Sequence, residues 1–240
     1  MGRVDGKVAL VTGGAMAMGE SHCLLLAREG ARVVVTDINT EAGEATAQQI
    51  PDEGGEAVFI HHDVASEEQW QSVTDQAVAA YDKIDILINN AGIVISKPNE
   101  TTTVEDWDLT MAVNSTSVFL GCKTVVPAMA KAGGGSIVNI SSISGIAGMP
   151  TQAAYQAGKG AVRLLSKSIA VDTPNTISAA TVLTPVPYAR AVPVGSCKNP
   201  VLSTPCSPAP FLAESLNRSS YPTPCYSWPR MNRAMLMAPK

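Results

Sequence analysis

The segment KVALVTGGAMAMGESHCLLLAREGARVVVTD, residues 7–37, decides the fold. It opens with a short apolar run, continues through a glycine-rich turn at residues 12–19 and then shows helical spacing. A second β-branched run follows and ends at Asp37. This order of strand, glycine-rich turn, helix and strand predicts a βαβ unit with parallel strands.

The same alternation continues as far as residue 172. Short β-branched runs that end in polar or glycine residues alternate with longer segments of helical spacing. This pattern predicts an α/β fold, a Rossmann-like doubly wound parallel sheet with strand order 3-2-1-4-5. The predicted strands lie at 8–12, 31–37, 56–63, 84–90 and 136–142, and the two longest predicted helices at 103–131 and 152–171.

The composition of the chain changes after Asp172. Twelve of the 16 prolines lie in residues 173–240, which interrupts helices and central strands. The sequence therefore predicts one α/β domain over 1–172. It predicts an irregular or disordered Pro/Ser-rich segment over 173–240, with the sixth and seventh strands missing or disordered.

Charge and composition exclude several classes of protein. The formal net charge of −4 gives no reason to expect nucleic acid or an anionic membrane as a partner. The first residues lack the pattern of a secretory signal, and no run is apolar and long enough to span a bilayer. The cysteines show no CxxC spacing, so we expect a reducing, cytoplasmic location. They are Cys23, Cys122, Cys197, Cys206 and Cys225.

The glycine-rich turn and Asp37 together predict a dinucleotide site. Glycines allow the backbone to approach a pyrophosphate at a helix N-terminus. Asp37, at the end of the second strand, can accept hydrogen bonds from the ribose hydroxyls of NAD and repel the 2′-phosphate of NADP. The alternative for Asp37 is a helix N-cap.

A second constellation points to acid–base chemistry. Tyr155 and Lys159 are four residues apart on a predicted helix, so their side chains share one face. An adjacent ammonium favours the phenolate of a tyrosine. Ser142, at the end of the fifth predicted strand, lies at the sheet edge where such folds bind ligands.

Joined with further motifs, these residues resemble the short-chain dehydrogenase/reductase family over residues 5–172. The resemblance implies that Tyr155 transfers the hydroxyl proton, Ser142 holds the substrate oxygen, and Lys159 acts on Tyr155 and the nicotinamide ribose. It implies that Asn114 links Lys159 to a water relay. The motifs are TGxxx[AG]xG at 12–19, Asp63-Val64, Asn89-Asn90-Ala91-Gly92, Asn114, Ser142 and Tyr155-xxx-Lys159.

The resemblance also implies that 1–172 is an NAD-binding and catalytic domain, and it implies which residues bind the NAD. Asp63 and Val64 would contact adenine, and residues 90–92 would flank the adenine ribose. Taken singly, residues 89–92 could be a strand-end turn, Asn114 a polar residue in a helix and Ser142 a loop hydroxyl. The predicted cofactor-binding residues are Gly13, Ala17, Met18, Gly19, Asp37, Asp63, Val64, Asn90, Ala91, Gly92, Tyr155 and Lys159.

The opening residues are similar to family members that act on cyclic secondary alcohols. The expected pocket loops, 93–95 and 146–149, are apolar, and Lys97 is their one basic neighbour. We therefore expect oxidation of a small uncharged secondary alcohol, or reduction of its ketone, without a metal ion. The alternative is a catalytically silent dinucleotide-binding or interaction protein.

The family resemblance also implies an assembly. Helices at 103–131 and 152–172 would pair in a homodimer. A tetramer is doubtful because its contacts come from the last strand of the family fold.

The segment after Asp172 contains a hidden match to the family. Codons that spell residues 173–190 can, read one base earlier, spell YAKYNIRCNSAHPGPIRT. That string holds a strand and a Pro-Gly turn where the family has them. We interpret the change of composition as a frameshift, in the gene or in its reported sequence.

Overall fold

The computed structural model describes residues 2–174 and 177–183, with residues 178–183 described through their backbone only. Within these residues strands and helices alternate, as the sequence predicts. The strands are β1 (Val8–Thr12), β2 (Arg32–Asp37), β3 (Glu56–His61), β4 (Ile86–Asn89), β5 (Gly135–Ile140) and β6 (Ile177–Leu183). The helices are α1 (Ala17–Arg28), α2 (Thr40–Asp52), α3 (Glu67–Tyr81), α4 (Val104–Met111), α5 (Ser117–Lys131) and α6 (Ala153–Asp172).

The described strands form one parallel sheet in the order β3-β2-β1-β4-β5-β6. The predicted order 3-2-1-4-5 is confirmed. Successive strands are added in one direction from β1 to β3 and in the opposite direction from β4 onward. In such folds ligands bind beyond the carboxyl ends of the strands at that switch point, between β1 and β4. The loops after β1, β4 and β5 therefore border the expected binding cleft.

Alternate residues of the strands pack into two hydrophobic cores, one on each face of the sheet. Leu10 of β1 packs with residues of α3, α5 and α6, among them the fully buried Trp70. Val11, its neighbour in the chain, packs on the other face with residues of α1 and α2, including Ile50. Because successive strand side chains point to opposite faces, one strand supports both cores.

The predicted helix over 103–131 is observed as α4 and α5 joined by a π-helical turn, Ala112–Thr116. Thr103 caps its start: its side chain accepts the N–H of Asp106, whose carboxylate accepts the N–H of Thr103. By length and composition Val104–Lys131 could also cross a membrane. Its side chains Val125 and Met129 instead lie fully buried in the core beside the sheet.

The sixth strand, expected to be missing or disordered, is present among the described residues as β6. β6 pairs in parallel with β5, from Ile177 beside Gly135 to Leu183 beside Ile140. The neighbouring prolines, at 174 and 185, lie outside the strand, so none of them removes a ladder hydrogen bond. A proline-free run of seven residues is long enough to pair with the edge of β5.

The remainder of the predicted irregular segment lies outside the described residues. This applies to residues 184–240 and to the fate of the seventh strand. The predicted domain boundary after residue 172 stays a prediction.

Candidate active site

The glycine-rich turn after β1 permits a close approach that only glycine allows. Gly13 has a left-handed backbone, with φ of +64°, and α1 begins four residues later. A Cβ on Gly19 would lie 1.8 Å from the Gly13 carbonyl oxygen. Ala17 has φ of +52°, and the side chain of Met18 is exposed beside it. The turn therefore brings α1 against β1 with its N-terminus open to solvent.

The end of β4 is tied to this turn. The Asn90 amide nitrogen donates to the carbonyls of Thr12, at 2.9 Å, and Gly13, at 3.1 Å. The Thr12 hydroxyl oxygen accepts the backbone N–H groups of Asn90 and Ala91. Residues 13, 90 and 91, each predicted to bind the cofactor, thus lie side by side.

Asp37 holds its carboxylate at the end of β2, next to the turn. Its Oδ2 accepts the N–H of Ala15 at 3.1 Å, and its Oδ1 accepts the N–H of Asn39 at 2.9 Å. The N-cap of α2 is Asn39, whose side chain accepts the N–H of Ala42. The alternative of Asp37 as helix cap is therefore wrong.

Asp63 and Val64 follow β3 but differ in accessibility. Asp63 is partly exposed, and its carboxylate accepts the N–H of Ala65. Val64 is buried in the core, and its carbonyl accepts the indole N–H of Trp70 at 2.9 Å. Of this pair, only Asp63 presents a side chain to the open edge of the sheet.

Asn114, Lys159 and Gly92 converge below the loop that follows β4. Asn114 lies in the π-helical turn, is fully buried and donates to the carbonyl of Ile93 at 2.8 Å. A Cβ on Gly92 would lie 2.8 Å from Asn114 Oδ1 and 3.4 Å from Lys159 Nζ. Glycine at this position leaves both polar groups facing the same small space.

Lys159 is a buried amine at the centre of the site. It is 3% exposed, and its Nζ donates to the carbonyl of Ile140, at the end of β5, at 2.8 Å. Burial lowers the pKa of Lys159 to about 8, because desolvation disfavours the ammonium. Its Nζ lies 5.8 Å from the centroid of the half-buried Tyr155 ring, one helical turn earlier.

Ser142 begins a short 3₁₀ turn, Ile143–Gly145, and its side-chain oxygen accepts the N–H of Ser144 at 3.1 Å. This turn is fixed to α6 at two points. The Ser141 hydroxyl donates to the carbonyl of Lys159, and the guanidinium of Arg163 donates to the carbonyl of Gly145. Ser142 is thereby held against the helix that carries Tyr155.

The adjacent histidines at the end of β3 differ in burial. His61 is exposed, whereas His62 is 2% exposed, with its Nδ1 3.2 Å from the Thr36 hydroxyl. His62 packs edge-on against Trp70. His62 directly follows β3 and is buried against Trp70, whereas His61, the last residue of the strand, is exposed.

Sequence reasoning missed several residues that support the site. Ser141 and Arg163 fix the Ser142 turn, and Gln156 binds the backbone of Met149 through both its amide atoms. These residues carry no spacing signal, because each acts on a backbone group that is distant in sequence. Only adjacency to Ser142 and Tyr155 could have drawn attention to Ser141 and Gln156.

The residues of this site match a known family. The sequence model of the short chain dehydrogenase family matches residues 7–188. The chain belongs to the short-chain dehydrogenase family. Dehydrogenases of this family generally use a nicotinamide cofactor.

Three relatives of this short-chain dehydrogenase carry named activities. It is 52% identical over 172 residues to a cyclopentanol dehydrogenase of Comamonas testosteroni. The matched region covers 72% of this chain and 69% of the relative. It is 46% identical over 171 residues to a 3-alpha-(or 20-beta)-hydroxysteroid dehydrogenase of Mycobacterium bovis, covering 71% and 65%. It is 43% identical over 176 residues to a trans-4-hydroxycyclohexanecarboxylate dehydrogenase of Sinomonas cyclohexanicum, covering 71% and 68%.

All three relatives are named as dehydrogenases, and the family model spans the glycine-rich turn, Ser142, Tyr155 and Lys159. The chain is therefore an oxidoreductase by family.

Proposed function

We propose that the chain is an NAD-dependent dehydrogenase that interconverts a small, uncharged, cyclic secondary alcohol and its ketone, with Tyr155 as acid–base group. The observation that carries this proposal is the buried amine of Lys159 beside the Tyr155 ring. An ammonium in a low-dielectric site stabilises a phenolate far more than it would in water. Tyr155 then takes the hydroxyl proton of the alcohol at its Oη.

Ser142 supports the same reaction by holding the substrate oxygen. Its Oγ already accepts the N–H of Ser144, so its own hydroxyl hydrogen is left to donate to that oxygen. Asn114 holds the loop after β4 through Ile93 and faces Gly92 together with Lys159. Asn114 thus acts on the proton path by fixing the space beside the amine.

The open glycine-rich turn suits a nicotinamide dinucleotide. A Cβ on Gly13 would meet Ala91, and a Cβ on Gly19 would meet the Gly13 carbonyl, so the two glycines keep the turn tight at a helix N-terminus that stabilises phosphate charge. Asp37 would bind the adenine ribose, Asp63 would lie near the adenine, and Lys159 would bind the nicotinamide ribose. When bound, the nicotinamide supplies the hydride acceptor for alcohol oxidation.

Asp37 favours NAD over NADP in this proposal. A 2′-phosphate would meet its carboxylate, and the neighbouring exposed residue is Ile38 rather than a base. Without a cation to offset that repulsion, the phosphate is disfavoured.

The substrate class follows from the loops beside Tyr155. The one basic residue noted there, Lys97, pairs with Asp106 at 2.6 Å, which leaves it poorly placed to bind a substrate carboxylate. Ile95 and Met149 are partly buried, and Val94 and Ile146 present apolar surface. We therefore favour cyclopentanol, the alcohol in the name of one relative, or the similar cyclohexanol over a hydroxycyclohexanecarboxylate.

We also propose a homodimer and a cytoplasmic location. Large apolar side chains are exposed on the helices that the family resemblance pairs, and burial in a dimer would remove them from water. Cys23 and Cys122 are free and buried, as suits a reducing compartment. The exposed apolar residues on α4, α5 and α6 are Val104, Trp107, Leu109, Phe119, Leu164 and Val171.

We propose that the change of composition after codon 172 results from a one-base shift of the reading frame. Sequencing the DNA tests this directly. We expect codons whose preceding frame spells the strand NIRCN and a Pro-Gly turn. Codons that cannot spell that string would show that residues 173–240 are a genuine segment.

The activity is tested with the purified chain, NAD and each of three alcohols: cyclopentanol, cyclohexanol and trans-4-hydroxycyclohexanecarboxylate. We expect NADH formation with the two uncharged alcohols and a much lower kcat/KM with the carboxylate. Ser142→Ala should abolish turnover, while Ser168→Ala, at an exposed position of α6, should not. Saturable NAD binding without turnover of any secondary alcohol would support the silent dinucleotide-binding protein instead.

A further inference from the structure

One side chain of α6 binds the backbone of the loop that borders the site. The loop, residues 146–151, connects the 3₁₀ turn to α6 and is here called the cleft loop. The amide oxygen of Gln156 accepts the N–H of Met149 at 2.8 Å, and its amide nitrogen donates to the carbonyl of Met149 at 2.6 Å. A single side chain therefore satisfies both backbone polar groups of one loop residue, as a neighbouring strand would.

The two ends of the cleft loop are held by other contacts. At the first end, Arg163 donates to the carbonyl of Gly145. At the other, the N–H of Lys97 donates to the carbonyl of Thr151, and the hydroxyls of Ser96 and Thr151 are 2.7 Å apart. The middle of the loop, at Met149, is thus held by Gln156.

The strained backbone of Thr151 shows that this end of the loop has a defined conformation. Thr151 has φ of +61°, a left-handed value that β-branched residues rarely adopt. Its bonds to Ser96 and Lys97 join the cleft loop to the loop after β4. The two apolar loops beside Tyr155 are therefore one connected unit, with a single internal anchor on α6.

We propose that Gln156 is a positioning residue that fixes Met149 as the wall of the substrate cleft. Gln156 directly follows Tyr155 on α6. The amide that holds the loop and the phenol that takes the proton therefore extend from the same rigid helix. Substrate ring size is then selected by the distance between Met149 and Tyr155. This inference rests on the proposed dehydrogenase function.

The prediction concerns substrate binding rather than proton transfer. Gln156→Leu keeps the size of the side chain and removes both hydrogen bonds. We expect KM for cyclopentanol to rise about tenfold, because the two hydrogen bonds that hold the loop are lost. We expect kcat to change by less than about threefold, since Tyr155 and Lys159 are untouched.

The experiment uses the full chain and three variants. Gln156→Glu keeps the acceptor for the Met149 N–H and should retain part of the wild-type selectivity between cyclopentanol and cyclohexanol. Gln76→Leu, an exposed glutamine on α3, is the matched control and should behave as wild type. Amide hydrogen exchange of the cleft loop is measured on the same samples, where Gln156→Leu should exchange faster at Met149.

Two results would overturn the positioning role. One is unchanged exchange at Met149 in Gln156→Leu. The other is faster exchange with KM and ring-size selectivity both unchanged, which would make the contact merely structural.

A wild-type chain that oxidises neither alcohol contradicts the proposed function instead, and a different measurement then decides the inference. Exchange of the cleft loop is compared with and without NADH and cyclopentanone. Protection in wild type but not in Gln156→Leu supports the positioning role. Equal protection, or none in either chain, contradicts it.

Discussion

The amine of Lys159 lies 5.8 Å from the ring centroid of Tyr155 and is itself bonded to the carbonyl of Ile140. Among the described residues no carboxylate pairs with this buried cation. Its burial therefore costs folding free energy, which points to a use in the site. Lys159 links the end of β5 to the face of α6 that carries Tyr155.

Replacing Lys159 by methionine should separate stability from activity. Met has a similar length and no charge, so the free energy of unfolding at pH 7 should rise by about 1–3 kcal/mol, while turnover is lost. The folded-state pKa, about 8, is below the unfolded value of 10.5. Wild type therefore gains stability as pH rises from about 8 to 10.5, and the difference between the two proteins should shrink there.

Urea unfolding at pH 7 and pH 10 checks the Lys159 prediction. Lys167→Met, at an exposed position of the same helix, is the control and should change stability little at either pH. A Lys159→Met protein that is less stable at pH 7, or equally active, would contradict the account of this amine.

Buried His62 should make the fold sensitive to mild acid. Burial lowers the pKa of His62 to about 4, with a smaller contribution from His61, while Asp63 opposes the shift. The unfolded chain takes up this proton near pH 6.5, so stability is lost as pH falls from about 6.5 to 4. At pH 5 the loss from this group is about 2 kcal/mol.

The acid effect is measured as the change in unfolding free energy between pH 7.5 and pH 5. His62→Gln should reduce that change by roughly 2 kcal/mol, whatever its own cost at neutral pH. His61→Gln, at the exposed neighbouring position, should leave it as in wild type. An equal pH dependence in all three proteins would show that His62 is not the responsible group.

Cofactor choice should depend on Asp37. We expect wild type to bind NADH at least about tenfold more tightly than NADPH, a difference of about 1.4 kcal/mol. Asp37→Ser with Ile38→Arg removes the repulsive carboxylate and adds a cation, so it should narrow or reverse this preference. Fluorescence titration with both cofactors gives the ratio, and Ile38→Ala serves as the control. Equal binding of the two cofactors by wild type would refute the role of Asp37.

Gly19 should tolerate no side chain. Gly19→Ala would bring a Cβ to 1.8 Å from the Gly13 carbonyl, so α1 must move and the cofactor turn is distorted. We expect a loss of at least about 2 kcal/mol of stability and loss of NADH binding. Gly160→Ala, on α6, meets only the Gly145 carbonyl at 3.9 Å and should be neutral or slightly stabilising. Thermal unfolding and NADH titration of both variants make the comparison.

The strand order and the residues around the cofactor turn could be predicted because both follow local rules. Short β-branched apolar runs predict the strands, and glycine spacing predicts the turn at 12–19. The sequence could not decide whether Asp37 or Asn39 caps α2. Both are polar residues just before the helix, and either residue type is typical of an N-cap. Backbone geometry decides between them.

Two other features lay beyond sequence reasoning for different physical reasons. β6 was missed because proline content was averaged over 68 residues, whereas a strand needs only a short proline-free run beside an available edge. The hold of Gln156 on Met149 was missed because side-chain bonds to a loop backbone have no periodic signature. Long-range contacts of this kind are settled by the fold itself.

The most direct test of the central claim is the turnover of Tyr155→Phe with NAD and cyclopentanol. The change removes one oxygen from a half-buried ring, so the account predicts turnover reduced by at least about a thousandfold, with NADH affinity within a few-fold of wild type. Tyr155→Phe with turnover near that of wild type would contradict the account, because the acid–base group would then lie elsewhere.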